Sequence, residues 1–347
     1  MSLIKTVRYT IFTLAFVVFF SACKEEKEIP IVDLSPQNRK VFVLNEGNFQ
    51  SANGSVSLYN PTLNSEQHDV FKANNAGRPI GDVVQSMTKI GDQYFIVVNN
   101  SSKIEVVSAN DFVSVGKISG LNSPRYILLI SPTKAYVSDL YANEIYVINP
   151  QTLSIESKLP TKGWTEAMAM TNDKVFVCQV DSSEVWVFDL SADTLLAKIP
   201  TNMQPQSIAV DLMGKVWVAC SGGINQGYPA IHRIDPIAMN IEQSFEVQDI
   251  SKSIGSLKIS EGGDKLLYLM NDVFEMNIQA NSLPTQAKIP SSGRLIYSLG
   301  LDPNTGDIYV SDAIDYLQQG VVYRYNKNGE ELDNFKAGII PGSFYFD

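Results

Sequence analysis

Residues 166–200 read EAMAMTNDKVFVCQVDSSEVWVFDLSADTLLAKIP, and this stretch decides the fold. It holds four short apolar segments, EAMAM, KVFVCQV, EVWVFDL and TLLAKIP, separated by Asn, Asp and Ser residues that favour turns. Four short strands joined by turns form one blade of a β-propeller. The two middle segments are apolar on both faces, as expected for strands packed between neighbouring blades.

The same pattern recurs along the chain and gives the number of blades. A short apolar strand ends on an Asn, Asp or Ser at intervals of 40–49 residues, at Asn60, Ser108, Asn149, Asp189, Asp235, Asn277 and Asn326. A repeat of this length built from short strands is typical of propeller blades. The sequence therefore predicts an all-β, seven-bladed propeller of four-stranded blades over residues 39–347, with an axial mouth at which a ligand can bind.

The ends of this region indicate how the ring closes. The first blade begins at KVFVLNEG (residues 40–47), which resembles the second strand of the other blades, so it lacks an innermost strand. The chain ends in SFYFD (residues 343–347), a short strand without a partner of its own. Because an unpaired strand edge is unfavourable, we expect the C-terminal strand to complete blade one.

The N-terminus has the features of a processing signal. Lys5 and Arg8 precede an apolar run, Thr10 to Phe20, that is too short to span a bilayer comfortably. The sequence FSAC follows, with small residues before Cys23. We predict a signal peptide over residues 1–22 and a tether over residues 23–38. Cys23 is either the first residue of the mature chain, with a role described below, or an incidental cysteine beside a plain signal peptide.

Charge and cysteine content exclude some classes of function. The chain has a formal net charge of −10, whereas a nucleic-acid-binding surface needs a basic patch. The same charge argues against electrostatic docking on anionic lipid. Cys178 and Cys220 lie in equivalent apolar strands, offset by one position, so we expect them to face opposite ways as buried free thiols rather than form a disulfide.

Two repeats carry a family resemblance. The segments AYVSDLYANEIYVINPQTLSIESKLPT (135–161) and KVFVCQVDSSEVWVFDLSADTLLAKIPT (174–201) resemble the YVTN-type β-propeller repeat. The N-terminal FSAC resembles a lipobox, which implies lipidation of Cys23, although Phe20 stands where a Leu is usual. The following KEEKE (24–28) is either a solvated linker or resembles a tag for export to the cell surface.

These features together resemble one group of bacterial surface lipoproteins. The opening motif VFVLNEGNFQSANGSVSLYNP (41–61) is the part of the chain similar to that group, whose best understood members capture cobalamin over a TonB-dependent outer-membrane transporter. The resemblance implies a non-enzymatic, lipid-anchored outer-membrane protein exposed at the cell surface. It would bind cobalamin, or another large polar small molecule, and deliver it to such a transporter.

The candidate ligand site is the propeller face that carries the second-to-third-strand loops and the blade-joining loops. These loops are rich in amides and aromatic rings, which suit a large ligand with many amide groups. The predicted ligand-binding residues are Asn45, Glu46, Phe49, Arg78, Arg125, Tyr126, Asp139, Tyr141, Trp164, Gln179, Asp181, Gln226, Tyr228, Arg294, Tyr297, Asp312 and Tyr316. The alternative is that these residues form turns, pack locally or, for the three arginines, form ion pairs with acidic residues.

Catalytic and metal-binding patterns have little support in the sequence. HExxH, GxSxG and P-loop motifs do not occur, and the two histidines, His68 and His232, suit core or surface roles. We predict no cofactor and no metal; the acidic loop residues could hold Ca²⁺, but their spacing is not that of an EF-hand. Two other functions stay open: a lactonase-type hydrolase using Glu46 or Asp181 with Arg125, and a structural or adhesive surface protein that binds proteins or glycans.

Overall fold

The computed structural model describes Leu34 and residues 39–347. The predicted signal peptide, Cys23 and, apart from Leu34, the tether lie outside the described residues. Leu34 itself is buried in the apolar cluster between blades one and two. Among the described residues, no helix has the length and apolar character needed to cross a membrane.

The described strands form seven antiparallel sheets, which confirms the predicted seven-bladed propeller. The strands of the first three blades, in chain order, are β1 (Val41–Asn45), β2 (Ser55–Asn60), β3 (Ser65–Gln67), β4 (Val84–Ile90), β5 (Gln93–Val98), β6 (Lys103–Ser108), β7 (Ser114–Ser119), β8 (Pro124–Ser131), β9 (Lys134–Asp139), β10 (Glu144–Asn149) and β11 (Ser154–Pro160). A short helix, α1 (Val70–Asn74), and a 3₁₀ turn (Asn99–Ser101) interrupt them.

The remaining strands complete blades four to seven and close blade one. They are β12 (Thr165–Thr171), β13 (Lys174–Gln179), β14 (Glu184–Asp189), β15 (Leu195–Pro200), β16 (Pro205–Val210), β17 (Val216–Cys220), β18 (Ala230–Asp235), β19 (Asn240–Glu246), β20 (Gly255–Ile259), β21 (Lys265–Met270), β22 (Asp272–Asn277), β23 (Ile296–Leu301), β24 (Ile308–Asp312), β25 (Gln319–Tyr325), β26 (Glu331–Ile339) and β27 (Pro341–Phe346). In blades two to seven the first strand in chain order lies innermost, and the following strands step outward.

The C-terminal strand completes blade one, as predicted. Strand β27 pairs with β1 in the order β27-β1-β2-β3, with Val41 opposite Phe346 and Val43 opposite Phe344. The terminal Asp347 accepts a hydrogen bond from the Tyr94 hydroxyl at 2.6 Å, which ties the end of the chain to blade two. The ring is therefore closed by hydrogen bonds between the two ends of the domain.

Blade six departs from the prediction of four strands in every blade. The segment PTQAKIP (284–290), expected as its outer strand, contributes only an isolated bridge between Ile289 and Val273, so the sheet has three strands. Pro284 and Pro290 bound this segment and cannot donate hydrogen bonds to a neighbouring strand. Complete outer strands also end on a proline, at Pro160 of β11 and Pro200 of β15, so the feature particular to blade six is Pro284 at the start of the segment.

The apolar core consists of layers between successive blades, and both cysteines lie in one such layer. Cys178 and Cys220 are free, fully buried and packed in the cluster between blades four and five. Their one-residue offset places them on opposite faces of their own blades, which brings them into the same shared layer. Burial raises the pKa of both thiols, that of Cys220 to about 12.

Candidate ligand-binding site

A cavity of about 590 Å³ lies on the propeller axis. Its walls come from the N-terminal halves of the innermost strands, so it opens on the face predicted to carry the mouth. The polar side chains that line it are Glu46, Gln85, Arg125, Tyr126, Glu166, Gln206, Ser207, Ser253, Ser256, Lys258, Asn271, Tyr297, Ser298 and Ser343. The volume falls in the range of small-molecule sites, which is about 300–1,000 Å³.

An ion pair between Arg125 and Glu166 forms one wall. The Arg125 Nε and Nη2 atoms donate to the two Glu166 carboxylate oxygens at 2.9 and 2.6 Å, and a third nitrogen donates to Gln85. Burial alone would lower the pKa of Arg125, but the Glu166 carboxylate outweighs this effect and raises it. The Trp164 indole donates to the same carboxylate at 2.5 Å, so this wall is rigid and its charges are balanced.

A second wall carries Glu46 and Tyr297. The Tyr297 hydroxyl lies 3.2 and 3.1 Å from the two carboxylate oxygens of Glu46. Desolvation raises the pKa of Glu46, although the Tyr297 hydrogen bond and Arg125 oppose the rise. The Tyr316 ring meets the Tyr297 ring edge-on, with the centroids 5.8 Å apart, and extends this wall to the mouth.

Lys258 adds a cation from the innermost strand of blade six. Its side chain is exposed to the cavity, yet desolvation lowers its pKa. Both observations are expected for an ammonium group that points into a narrow channel: water reaches it, but protein replaces most of its surrounding solvent. Among the described residues, Lys258 forms no ion pair; the ion pairs of blade six join Lys265 and Lys288 to Glu275.

Four of the predicted residues line the cavity: Glu46, Arg125, Tyr126 and Tyr297. The Tyr126 hydroxyl accepts a hydrogen bond from the Gln85 amide at 3.4 Å, and burial raises the pKa of Tyr126. These residues come from blades one, three and seven, so only the closed ring brings them together.

A second group of predicted residues forms the rim of the mouth. Phe49 is 66 % exposed, Tyr141 69 % and Tyr228 42 %. Gln226 and Tyr316 are also exposed on their loops, whereas Trp164 is half-buried against Glu166. The rim thus presents flat apolar rings around a polar cavity.

A third group of predicted residues stabilises the loops. The Asp139 carboxylate accepts from the Ser123 backbone N–H at 2.7 Å, Asp181 from that of Trp164 at 2.9 Å, and Asp312 from that of Leu295 at 3.0 Å. In each case the aspartate joins a second-to-third-strand loop to the preceding blade-joining loop. An aspartate therefore recurs at this loop position because it holds the two loops together, which is a structural role.

Asn45 and Gln179 are likewise buried and bonded within the protein. The Asn45 amide donates to the Ser57 hydroxyl at 3.0 Å and accepts from the Gly338 N–H at 2.9 Å. The Gln179 amide donates to the Trp164 carbonyl at 3.0 Å. Both amides connect neighbouring segments beneath the rim and are absent from the cavity wall.

Two of the three predicted arginines lie away from the cavity. Arg78 pairs with Glu105 at 2.9 Å and lies over the Phe71 ring. Arg294 stacks on the Tyr323 ring at 3.7 Å and pairs with Glu331 at 3.2 Å. These two residues therefore form the ion pairs with acidic residues given above as the alternative, and neither lines the cavity.

Sequence reasoning missed Glu166, Lys258 and Gln85, which all lie on innermost strands rather than on loops. A signal for Glu166 exists: Arg125 and Glu166 are each the second residue of their strand and are 41 residues apart, about one blade. Opposite charges at equivalent positions of adjacent blades predict an ion pair at the axis. Lys258 has no comparable signal.

The histidines and acidic residues give little indication of a metal centre. Within the part of the chain that the structure describes, no three His, Cys, Asp or Glu side chains are arranged to hold a metal ion. His232 is buried between Ser244 and the Asn202 backbone, and burial lowers its pKa to about 4. It is therefore neutral at physiological pH.

A family model covers almost the whole propeller. The match runs over residues 39–346 and is to DUF5074, a domain of unknown function. The chain belongs to this family. No curated protein sequence matches it.

Several solved structures share the fold of this DUF5074 propeller at low identity. A quinonprotein alcohol dehydrogenase-like protein from Bacteroides thetaiotaomicron has 15% identity and a TM-score of 0.69, over 89% of this chain and 78% of that chain. The periplasmic gluconolactonase of Pseudomonas aeruginosa has 13% identity and a TM-score of 0.66, over 89% and 98%. A protein from Lactobacillus plantarum has 12% identity and a TM-score of 0.66, over 89% and 99%. These likenesses concern the fold alone.

Proposed function

We propose that this protein is a non-enzymatic binding module that captures a large polar molecule at the axial mouth, with a corrinoid such as cobalamin as the first candidate. The observation that carries the proposal is the combination of a polar cavity of about 590 Å³ with a rim of exposed aromatic rings. Rigid aromatic side chains contribute large contact areas at a small entropic cost. A polar centre within an apolar rim suits a ligand that is broad, flat and amide-rich.

The size of the cavity bears on how such a ligand would bind. A corrinoid is too large to enter about 590 Å³ whole, so its ring would lie across the mouth against Phe49, Tyr141 and Tyr228 while polar substituents reach the axis. Arg125 and Glu166 hold each other in place at 2.6 Å, so this wall needs little reorganisation on binding.

The rest of the proposal rests on the N-terminal resemblance. Lipidation at Cys23 would anchor the propeller to the outer membrane, and the signal and tether would expose it at the cell surface. Because a binding module does not move its ligand across a membrane, a TonB-dependent transporter would take up the captured molecule.

The first test is a titration of the chain from Ile29 to Asp347 with cyanocobalamin, followed by calorimetry and visible absorbance. This chain retains every described strand and core cluster. We expect one-to-one binding, weakened at least tenfold by Phe49→Ala combined with Tyr141→Ala. The matched control is Ile237→Ala, since Ile237 is 76 % exposed but lies on a turn of the opposite face. Absence of binding at tens of micromolar ligand would overturn the corrinoid assignment.

A hydrolytic function is the alternative, and one observation favours it. Glu46 lies in the cavity with a raised pKa, beside the Tyr297 hydroxyl, as a general acid or base would require. The gluconolactonase shares the fold. Purified protein incubated with sugar lactones would decide this alternative: turnover lost in Glu46→Gln would support it, and the absence of turnover would exclude this substrate class. Asp181 is a weaker candidate because its carboxylate accepts the Trp164 N–H.

A structural or adhesive role would instead use a propeller surface away from the mouth. Leu63, Leu212 and Ile237, all strongly exposed, lie on turns of the face opposite the mouth. They belong to different blades, and singly exposed apolar residues are normal on protein surfaces. The mouth is therefore the better supported binding surface.

A further inference from the structure

The charged groups of the axial cavity differ in whether the protein itself supplies a partner. Arg125 and Glu166 neutralise each other through two hydrogen bonds. Glu46 receives the Tyr297 hydroxyl. Lys258 stands apart: it lines the same cavity, but among the described residues it forms no ion pair or side-chain hydrogen bond, and the ion pairs of blade six instead join Lys265 and Lys288 to Glu275. The cavity thus holds one cation without a paired carboxylate, together with one carboxylate, Glu46, whose direct partner is a neutral hydroxyl.

A desolvated ammonium group without a partner is unfavourable, and an anion placed beside it relieves the penalty. The overall charge of −10 does not attract anions to the protein in general. The attraction at Lys258 is therefore local, arising from one side chain in a narrow channel where charges interact more strongly than in bulk water.

The surroundings of Lys258 suit an oxyanion. The side chains of Ser256 and Asn271 line the same cavity and come from the same blade. A hydroxyl and an amide can both donate hydrogen bonds to oxygen atoms that the ammonium group has attracted. Carboxylate and phosphate groups accept such bonds and carry the required negative charge.

We propose that Lys258 is an anion-recognition residue, and that the ligand of the axial cavity carries a carboxylate or phosphate group that pairs with it. This inference rests on the proposed function, because it assumes that the cavity is a binding site. It narrows the ligand class: a broad polar molecule with an anionic substituent long enough to reach the sixth blade's inner strand. Cobalamin meets this condition through its phosphodiester, whereas cobinamide lacks that group.

The test uses sulfate as the probe, because sulfate keeps its double negative charge over the usable pH range. The ¹⁵N-labelled chain from Ile29 to Asp347 is titrated with sodium sulfate, at ionic strength held constant with sodium chloride, and followed by two-dimensional NMR. We expect saturable shifts of the Ser256 amide and its neighbours. Lys258→Met should weaken sulfate binding at least tenfold, and Lys258→Arg should keep it within about threefold. Lys117→Met, at an exposed lysine of an outer strand, should leave it unchanged.

Malonate in place of sulfate distinguishes the two sources of negative charge, since tighter binding of malonate would favour a carboxylate ligand. The proposal is overturned if the shifts do not saturate, or if Lys258→Met binds sulfate as well as the unmodified chain does. A parallel titration with cyanocobalamin and dicyanocobinamide separates this failure from failure of the proposed function. Sulfate binding at Lys258 without corrinoid binding would reject only the corrinoid as the ligand. Corrinoid binding of equal affinity in Lys258→Met would reject only the assignment of Lys258 as the anion-recognition residue.

Discussion

Removal of the closing strand should destabilise the propeller far more than loss of a chain terminus normally does. The change is a chain that ends at Gly342, which deletes SFYFD. Strand β27 would lose the four residue pairs from Leu44–Ser343 to Val41–Phe346, leaving the edge of β1 unpaired. Ordinary termini tolerate truncation because few buried groups depend on them. Here the terminus forms the inner strand of a blade.

The magnitude follows from what the five residues contact. The rings of Phe344 and Phe346 pack against Tyr309 of blade seven, with centroids 6.1 and 5.3 Å away, and Tyr345 packs against Tyr94 of blade two at 5.9 Å. Each of the three rings is half-buried. Full burial of such a side chain contributes roughly 1.5–3 kcal/mol, so the three together contribute about 3 kcal/mol.

The side-chain carboxylate of Asp347 adds to this loss of stability. Asp347 pairs with Lys40 at 3.1 Å and with Lys89 at 2.5 Å, and the Lys40 side chain is only 7 % exposed. Deletion would leave this buried ammonium group without its partner, which costs roughly 2 kcal/mol or more. The total loss of about 5 kcal/mol approaches the whole stability of many domains, about 5–15 kcal/mol.

The assay is urea denaturation followed by far-ultraviolet circular dichroism. We expect the truncated chain to unfold at a much lower urea concentration or to fail to fold. Phe346→Ala in the full domain should cost about 1–2 kcal/mol. Leu332→Ala, at a residue of β26 that is 48 % exposed, is the matched control and should change the stability by less than about 0.5 kcal/mol. A truncated chain within 1 kcal/mol of the intact domain would refute the closure argument.

Three further perturbations test the electrostatics of the domain. Tyr297→Phe removes a hydrogen bond that lowers the pKa of Glu46, so the pKa of Glu46 should rise further. A ¹³C NMR titration of the Glu46 carboxyl measures this pKa, and Tyr316→Phe is the control. An unchanged pKa in Tyr297→Phe would be the contrary result. His232, whose pKa is lowered to about 4, stabilises the native state above pH 6.5 and loses this contribution as the pH falls towards 4. Between pH 6.5 and pH 4, the free energy of unfolding of His232→Gln should therefore rise by up to about 3 kcal/mol relative to that of the unmodified chain, as measured by urea denaturation. The same pH dependence in both proteins would argue against this prediction. Burial raises the pKa of Cys178 and Cys220, so a thiol reagent should modify neither cysteine in the folded chain from Ile29 to Asp347. In urea the reagent should modify both cysteines, and fast labelling of the native protein would contradict their burial.

The architecture could be predicted because each blade repeats one local pattern. Turn residues at fixed intervals, such as Asn149 and Asp189, and middle strands apolar on both faces determine the blades without knowledge of distant contacts. The closure could be predicted because one incomplete blade and one spare strand need each other. The missing outer strand of blade six could not be predicted, since the segment resembles the other outer strands and only Pro284 at its start argues against one.

The cavity could be predicted only in part, because its contacts join residues far apart in the sequence. Glu46 and Tyr297 meet although 251 residues separate them, and no local pattern connects the two. The loops drew attention because they are rich in Asp, Asn and Tyr. Many of these residues, such as Asp139 and Gln179, instead satisfy backbone groups of neighbouring loops.

This division of roles follows from the geometry of a propeller. Side chains on the two middle strands of a blade pack against the neighbouring blades, and loop aspartates hold the loops in place, so changes at either position affect stability. Several side chains at the start of an innermost strand instead line the axial cavity, where they contact one another. Arg125 is the second residue of its strand and Lys258 is the fourth residue of its own; both line the cavity, but the effects of replacing them differ. Replacing Arg125 would leave the buried Glu166 carboxylate without its ion-pair partner. Replacing Lys258 removes a charge that has no partner among the described residues. Lys258 is therefore the position at which ligand recognition can be altered with the least effect on the fold, and for the same reason it is the most informative residue to change first.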